Sequence, residues 1–94
     1  MAIRLRGDFN GLFGDLLCLS HSDVATDEAG ESVHLETDME VVAFEEDSED
    51  GQACFLVARG RVIPSPDDLQ HNGSRWSLQI DQRGVRHVAR LDDA

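Results

Sequence analysis

The sequence has no lysine and no tyrosine, one tryptophan and two cysteines. Positive charge rests on eight arginines against nineteen Asp/Glu, a formal net charge of −11. So few cations argue against neutralising a phosphate backbone, and nucleic acid is not an expected partner. No apolar run approaches the roughly 20 residues of a membrane-spanning helix. Met1–Gly7 carries Arg4 and Arg6 but no apolar stretch of the kind a secretory leader needs. A cytoplasmic chain without membrane contact is therefore expected. No stretch sustains a 3.6-residue apolar period, which argues against long amphipathic helices. No Gly-x-Ser-x-Gly segment is present to form a nucleophile elbow. With 94 residues, the chain reads as one domain, 1–94, built on a single core. Replacement of every lysine by arginine fits codon bias in a GC-rich genome or adaptation to high salt. Apolar residues gathered in ordinary core-like blocks favour the first.

What charge there is divides by position. Residues 1–50 hold fourteen Asp/Glu against Arg4 and Arg6, whereas from Gly51 onward six Arg face five Asp. Carboxylates gather in two segments, Asp23 to Glu31 and Glu45 to Asp50, and both read as exposed loops. The arginines Arg75, Arg83, Arg86 and Arg90, with His87, cluster near the C-terminus.

Period-two alternation predicts a mainly antiparallel all-β domain. Arg75–Asp81 sets Trp76, Leu78 and Ile80 on one face, and the turn Asp81-Gln82-Arg83-Gly84 predicts a hairpin with Val85–Arg90. Glu40–Glu45 and Gln52–Ile63 form a central pair across the acidic run that closes on Asp50-Gly51. Cys54, Leu56, Ala58, Gly60 and Val62 share one face of the second strand, and Gly60 predicts a bulge or bend. Upstream, Ile3–Arg6 and Leu12–Leu19 are strands flanking a turn at Asp8–Gly11. His21–Glu31 is a long loop, and Ser32–Glu36 a short strand. Ser65 as cap, Pro66 at the first helical position, Asp67 and Asp68 behind it, and Asn72-Gly73 as a stop predict a short helical turn over 66–71. Five to seven short strands with one such turn resemble, in their order, a small Src-homology-3-like or related barrel. No motif identifies a family.

Candidate chemistry is read against plainer alternatives. Cys18, His21, Cys54 and His71, with His34 as a further option, offer a Cys2His2 zinc set. Only Cys18 and His21 are close-spaced, and an extended strand would turn them to opposite faces. Core thiols and surface histidines are the favoured reading, with no metal and no cofactor expected. Glu46-x-Ser48-x-Asp50-Gly51 has the glycine spacing of a calcium loop, yet the closing position is Val57 where a glutamate belongs. Ser20-His21-Ser22-Asp23 holds the residue types of a triad in sequence only. Arg6-Gly7-Asp8 and Asn72-Gly73-Ser74 match adhesion and glycosylation motifs outside the setting where either acts.

The reading these residues favour is a non-enzymatic module whose carboxylates, Asp23, Asp27, Glu28, Glu31, Glu45, Glu46, Asp47, Glu49 and Asp50, meet another protein with a basic surface. Mimicry of a polyanion is its sharpest form. The alternatives are a metal-dependent or ligand-binding domain built on Cys18, His21, Cys54 and His71, and a structural domain that pairs with a second copy, as a homodimer or otherwise.

Overall fold

Alternating side chains become nine strands among the residues that the computed structural model describes, 2–94. They are β1 (Ile3–Arg6), β2 (Leu12–Phe13), β3 (Leu16–Ser20), β4 (Val24–Thr26), β5 (Ser32–His34), β6 (Glu40–Glu49), β7 (Gln52–Pro64), β8 (Trp76–Ile80) and β9 (Arg86–Val88). A single five-residue helix, α1 (Asp67–His71), joins β7 to β8, and 3₁₀ turns occupy Phe9–Gly11 and Leu91–Asp93. Among the described residues no helix is long and apolar enough to cross a membrane.

Seven strands share a mixed sheet in the order β1-β6-β7-β8-β3-β2, with β9 branching onto β7, while β4 and β5 form a ladder of their own. β1 runs parallel to β6, and the other pairings are antiparallel. The sheet does not close into the expected barrel. β2 is two residues long, and the β4–β5 ladder meets β1 through the single bridge Leu5–Asp27, so neither edge offers enough backbone to zip shut. The strands are also more numerous and less uniform than expected, with β6 and β7 spanning ten and thirteen residues.

β7 is the spine. One side of it pairs with β6 along its length, from Glu40–Arg61 to Glu49–Gln52. Its other side is shared, with β9 on Phe55–Val57 and β8 on Gly60–Pro64. This overturns the predicted final hairpin. The turn at Asp81–Gly84 forms, with the Gly84 amide donating to the Asp81 carbonyl at 3.0 Å, but the returning strand does not lie on β8. Both edges of β8 are already taken by β7 and β3, so Arg86–Val88 goes to the free edge that β7 still offers.

Gly60 does not mark a bulge, because the β6–β7 register runs through it unbroken. A Cβ there would stand 1.9 Å from the Gln79 carbonyl oxygen, so glycine is required for the close approach of β8. The predicted Leu12–Leu19 strand folds back at Gly14-Asp15 into the β2–β3 hairpin, and the long loop at 21–31 contains β4. Ser65 does not cap α1. Pro66 takes the N-cap position, and the Ser65 hydroxyl instead contacts those of Ser74 (2.8 Å) and Ser77 (2.7 Å) in a buried cluster. Burial makes that use more pressing than a cap, since a hydroxyl removed from water needs a partner.

Both faces of the sheet are covered. Leu5, Leu17, Val41, Ala43, Ala58, Val62, Leu78 and Ile80 form the main core, with Leu19, Ala25 and Leu35 joining from β3, β4 and the segment after β5. Trp76 packs against this core half-buried, as the alternation predicts. On the opposite face Val42, Phe44 and Val57 lie beneath Phe55, Val88, Leu91 and Ala94, so the C-terminal residues form a cover.

Candidate functional site

The acidic run expected to be a hairpin loop is a strand. β6 continues to Glu49, and the reversal takes two residues, Asp50 and Gly51, with φ of 52° and 80°. Positive φ at both central positions is the turn that suits a twisted hairpin, and Asp-Gly supplies it at little strain. β1 accompanies β6 only as far as Phe44, and β9 begins on β7 at Phe55. Residues 45–54 thus extend past the sheet as a two-stranded ribbon.

Strand alternation sorts the ribbon's charges. Glu45, Asp47 and Glu49 share the face of Cys54 and Leu56, and Glu46 and Ser48 share that of Phe55. Alternate residues stand about 6.7 Å apart, so Glu45, Asp47 and Glu49 form an evenly spaced row on the first face, while Glu46 is the one β6 carboxylate on the second. Glu45 accepts the Phe9 amide at 3.3 Å, and Glu46 pairs with Arg6 at 3.3 Å. The Arg6 guanidinium also lies 5.1 Å from the centre of the Phe44 ring. Asp47 faces His87 at 3.3 Å. Glu49 and Asp50 are exposed at the tip, without a side-chain partner among the described residues.

Three of the four carboxylates of residues 23–31 have partners of their own. Asp23 accepts from Arg75 Nε and from Trp76 Nε1 (3.1 Å) beside β8. Those two donors hold its pKa below the ordinary value, the arginine contributing most. Asp27 closes its own turn by accepting the Ala29 and Glu31 amides, each at 2.9 Å. Glu28 pairs with Arg4 at 3.0 Å, as does Asp92 from the C-terminus, and both push the arginine pKa up. Only Glu31 among the four has neither a hydrogen-bond nor an ion-pair partner for its carboxylate among the described residues. Arg4 and Arg6, alternate residues of β1, take one carboxylate from each segment, Glu28 and Glu46.

The four-ligand set Cys18, His21, Cys54 and His71 does not converge among the described residues. His21 Nδ1 is 2.6 Å from the Gly73 carbonyl oxygen, Cys18 packs beside Gly11, and His71 lies in the last turn of α1. Cys54 meets different partners: its sulfur, an Asp47 carboxylate oxygen and a His87 ring nitrogen all lie within 4.8 Å of one another. Those three residues could hold a metal. Both cysteines are free thiols and half-buried. Burial first, then the charges of Asp47 and Glu49, push the Cys54 pKa up.

The remaining constellations dissolve. Glu46–Glu49 is extended, which removes the calcium-loop geometry. Ser20 Oγ donates to the Val24 carbonyl at 2.6 Å, His21 turns to Gly73 and Asp23 to Arg75, so no triad assembles. Sequence reasoning missed Asp47 and His87 as partners of Cys54. A two-residue turn at Asp50-Gly51 already implies the Asp47–Cys54 pairing, whereas His87 becomes visible only once β9 is known to lie on β7. Comparison with protein-family models, with curated proteins and with solved structures found no match.

Proposed function

We propose that the protein is a non-enzymatic binding module that docks its acidic ribbon, residues 45–50, on a basic surface of another protein. The observation that carries this reading is the ribbon itself: a strand pair beyond the core, with Glu45, Asp47 and Glu49 spaced evenly along one face, Glu46 on the other, and Glu49 and Asp50 unengaged at its tip. A strand loses less freedom on binding than a loop of the same charge would. Asp23, Asp27, Glu28 and Glu31 are the further carboxylates of this reading, the first three already engaged within the chain. Electrostatic docking of this kind raises the association rate and weakens steeply with salt. In its sharpest form the ribbon occupies the groove of a nucleic-acid-binding protein in place of phosphates. The module this reading describes is a small Src-homology-3-like β-barrel left open, acting in the cytoplasm.

The test is recovery of partners from a lysate of the source organism with the native chain and with Glu46→Gln/Glu49→Gln/Asp50→Asn as bait. Basic partners retained by the native chain, released by salt and heparin and absent from the variant are expected. Partners indifferent to salt, or retained by the variant, overturn the reading.

A second reading, pairing with another copy, has one observation in its favour. Edge strand β2 leaves Leu12 and Phe13 at 38 % and 50 % exposure, beside unpaired backbone. Sedimentation of the native chain and of Phe13→Ser over a range of concentrations decides it. Association lost in the variant supports self-pairing, and a monomer throughout removes it.

A further inference from the structure

Three neighbouring strands each place one metal-ligating side chain on the same side of the ribbon. Asp47 of β6 lies directly opposite Cys54 of β7, and directly opposed residues have Cβ atoms about 4.5–5.5 Å apart. His87 of β9 pairs with Leu56, the neighbour of Cys54 on the same face, so its ring reaches diagonally across the thiol to Asp47. In a tetrahedral shell with bonds of about 2.0–2.3 Å, adjacent ligand atoms are about 3.3–3.7 Å apart. His87 Nε2 and Asp47 Oδ2 already have that separation, 3.3 Å. The sulfur, within 4.8 Å of both, needs a shift of about 1 Å, within reach of a small χ1 change.

We propose that Asp47, Cys54 and His87 form a binding site for one zinc ion. A thiolate and an imidazole select a borderline-soft cation over calcium or magnesium, which take oxygen ligands. Three protein ligands leave a fourth position for water, and Cys54 and His87 border an open cleft of about 390 Å³. Glu49 stays outside the ligand group and adds negative charge beside it. On binding, the Cys54 S–H bond breaks, the sulfur–zinc bond forms, and one proton passes to solvent, while His87 binds as neutral imidazole through Nε2 and Asp47 as carboxylate. The site shares Asp47 with the docking ribbon but needs no partner, so zinc titration of the purified chain reads it separately from docking.

The test is calorimetric titration of the chelator-treated full chain with zinc chloride, in buffers of different ionisation enthalpy, alongside iodoacetamide labelling of the two thiols. One zinc per chain with release of about one proton, and protection of Cys54 but not Cys18 from alkylation, are the expected results. Cys54→Ser, His87→Ala and Asp47→Asn each weaken zinc binding by more than about 10-fold, since even outer-shell partners of a metal commonly matter by 10- to 100-fold. Cys18→Ser and His21→Ala leave it unchanged. The three ligand variants lie on the exposed ribbon and its flank, outside the main core, and circular dichroism verifies their fold. Absence of saturable binding at one equivalent overturns the site. Binding that survives Cys54→Ser does so too, because it is then diffuse association with the ribbon's carboxylates.

Discussion

Gly60→Ala is the substitution that most directly tests how the sheet is held. A Cβ at this position meets the Gln79 carbonyl oxygen at 1.9 Å, the Gln79 carbonyl carbon at 2.7 Å and Ile80 Cα at 3.1 Å. All three are backbone atoms, so no side chain can rotate away, and β8 must retreat from β7 by at least about 1 Å. Hydrogen bonds of about 2.9 Å then stretch toward 3.9 Å, outside the bonding range. β8 is held between β7 and β3, so its retreat also strains the pairing of Cys18 with Ser77 and of Leu17 with Leu78. Overpacking of 1–3 kcal/mol and weakening of one or two buried ladder bonds together destabilise by about 3–4 kcal/mol. For a domain of this size that lowers Tm by about 12–30 °C. Gly84→Ala is the matched control: Gly84 has φ of 68° with nothing within 4 Å, so only left-handed strain of about 1 kcal/mol applies. Urea and thermal unfolding of both variants decide the matter. If Gly60→Ala is no less stable than Gly84→Ala, the close approach of β7 and β8 is wrong.

Ser65→Ala removes the hydroxyl that contacts both Ser74 and Ser77, leaving Ser77 at 0 % exposure without that partner, and is expected to lower unfolding free energy by about 1–3 kcal/mol in urea titration. Deleting residues 91–94 uncovers Phe44 and Val57, and loss of the half-buried Leu91 lowers Tm by about 4–12 °C with a rise in binding of a hydrophobic dye. Asp23 has a folded pKa below its unfolded value, so its contribution is fully present above the unfolded pKa of about 3.9 and is lost as pH falls through the folded one. The stability difference between the native chain and Asp23→Asn should therefore be constant above about pH 5 and shrink in stronger acid, when followed by thermal melts across pH.

How much of this was legible in the chain depended on whether a feature was local or relational. The β class, the helix at 67–71, the Asp50-Gly51 reversal and the shared face of Leu78 and Ile80 follow from period, caps and turn chemistry within a few residues. Strand partners do not, because pairing is a competition for edges. Asp81–Gly84 carries every signal of a hairpin turn, and the hairpin still fails, since β3 occupies the edge of β8 that the returning strand would need. The acidic segments illustrate the opposite error. Solvated charge at Glu45–Asp50 suggests a loop, but a ribbon open on both faces can keep every carboxylate in water while its backbone bonds are satisfied by β7.

The site follows from the second misreading more than from any missing residue type. Read as a loop, Glu45–Asp50 gives Asp47 no fixed neighbour, and Cys54 looks like a free core thiol. Read as β6 with a two-residue turn, it places Asp47 beside Cys54, and the edge that β8 could not offer brings His87 to the same face. One displaced strand therefore both breaks the expected hairpin and assembles the only grouping of potential metal ligands among the described residues. This coupling has a consequence for mutation. Val88→Asp, which places a charge under Phe44 and Phe55, should loosen β9 from β7, and zinc affinity should fall even though Asp47, Cys54 and His87 are all retained. Zinc affinity unchanged in a Val88→Asp chain whose β9 amides have lost hydrogen-exchange protection would show that β9 does not position the ligand.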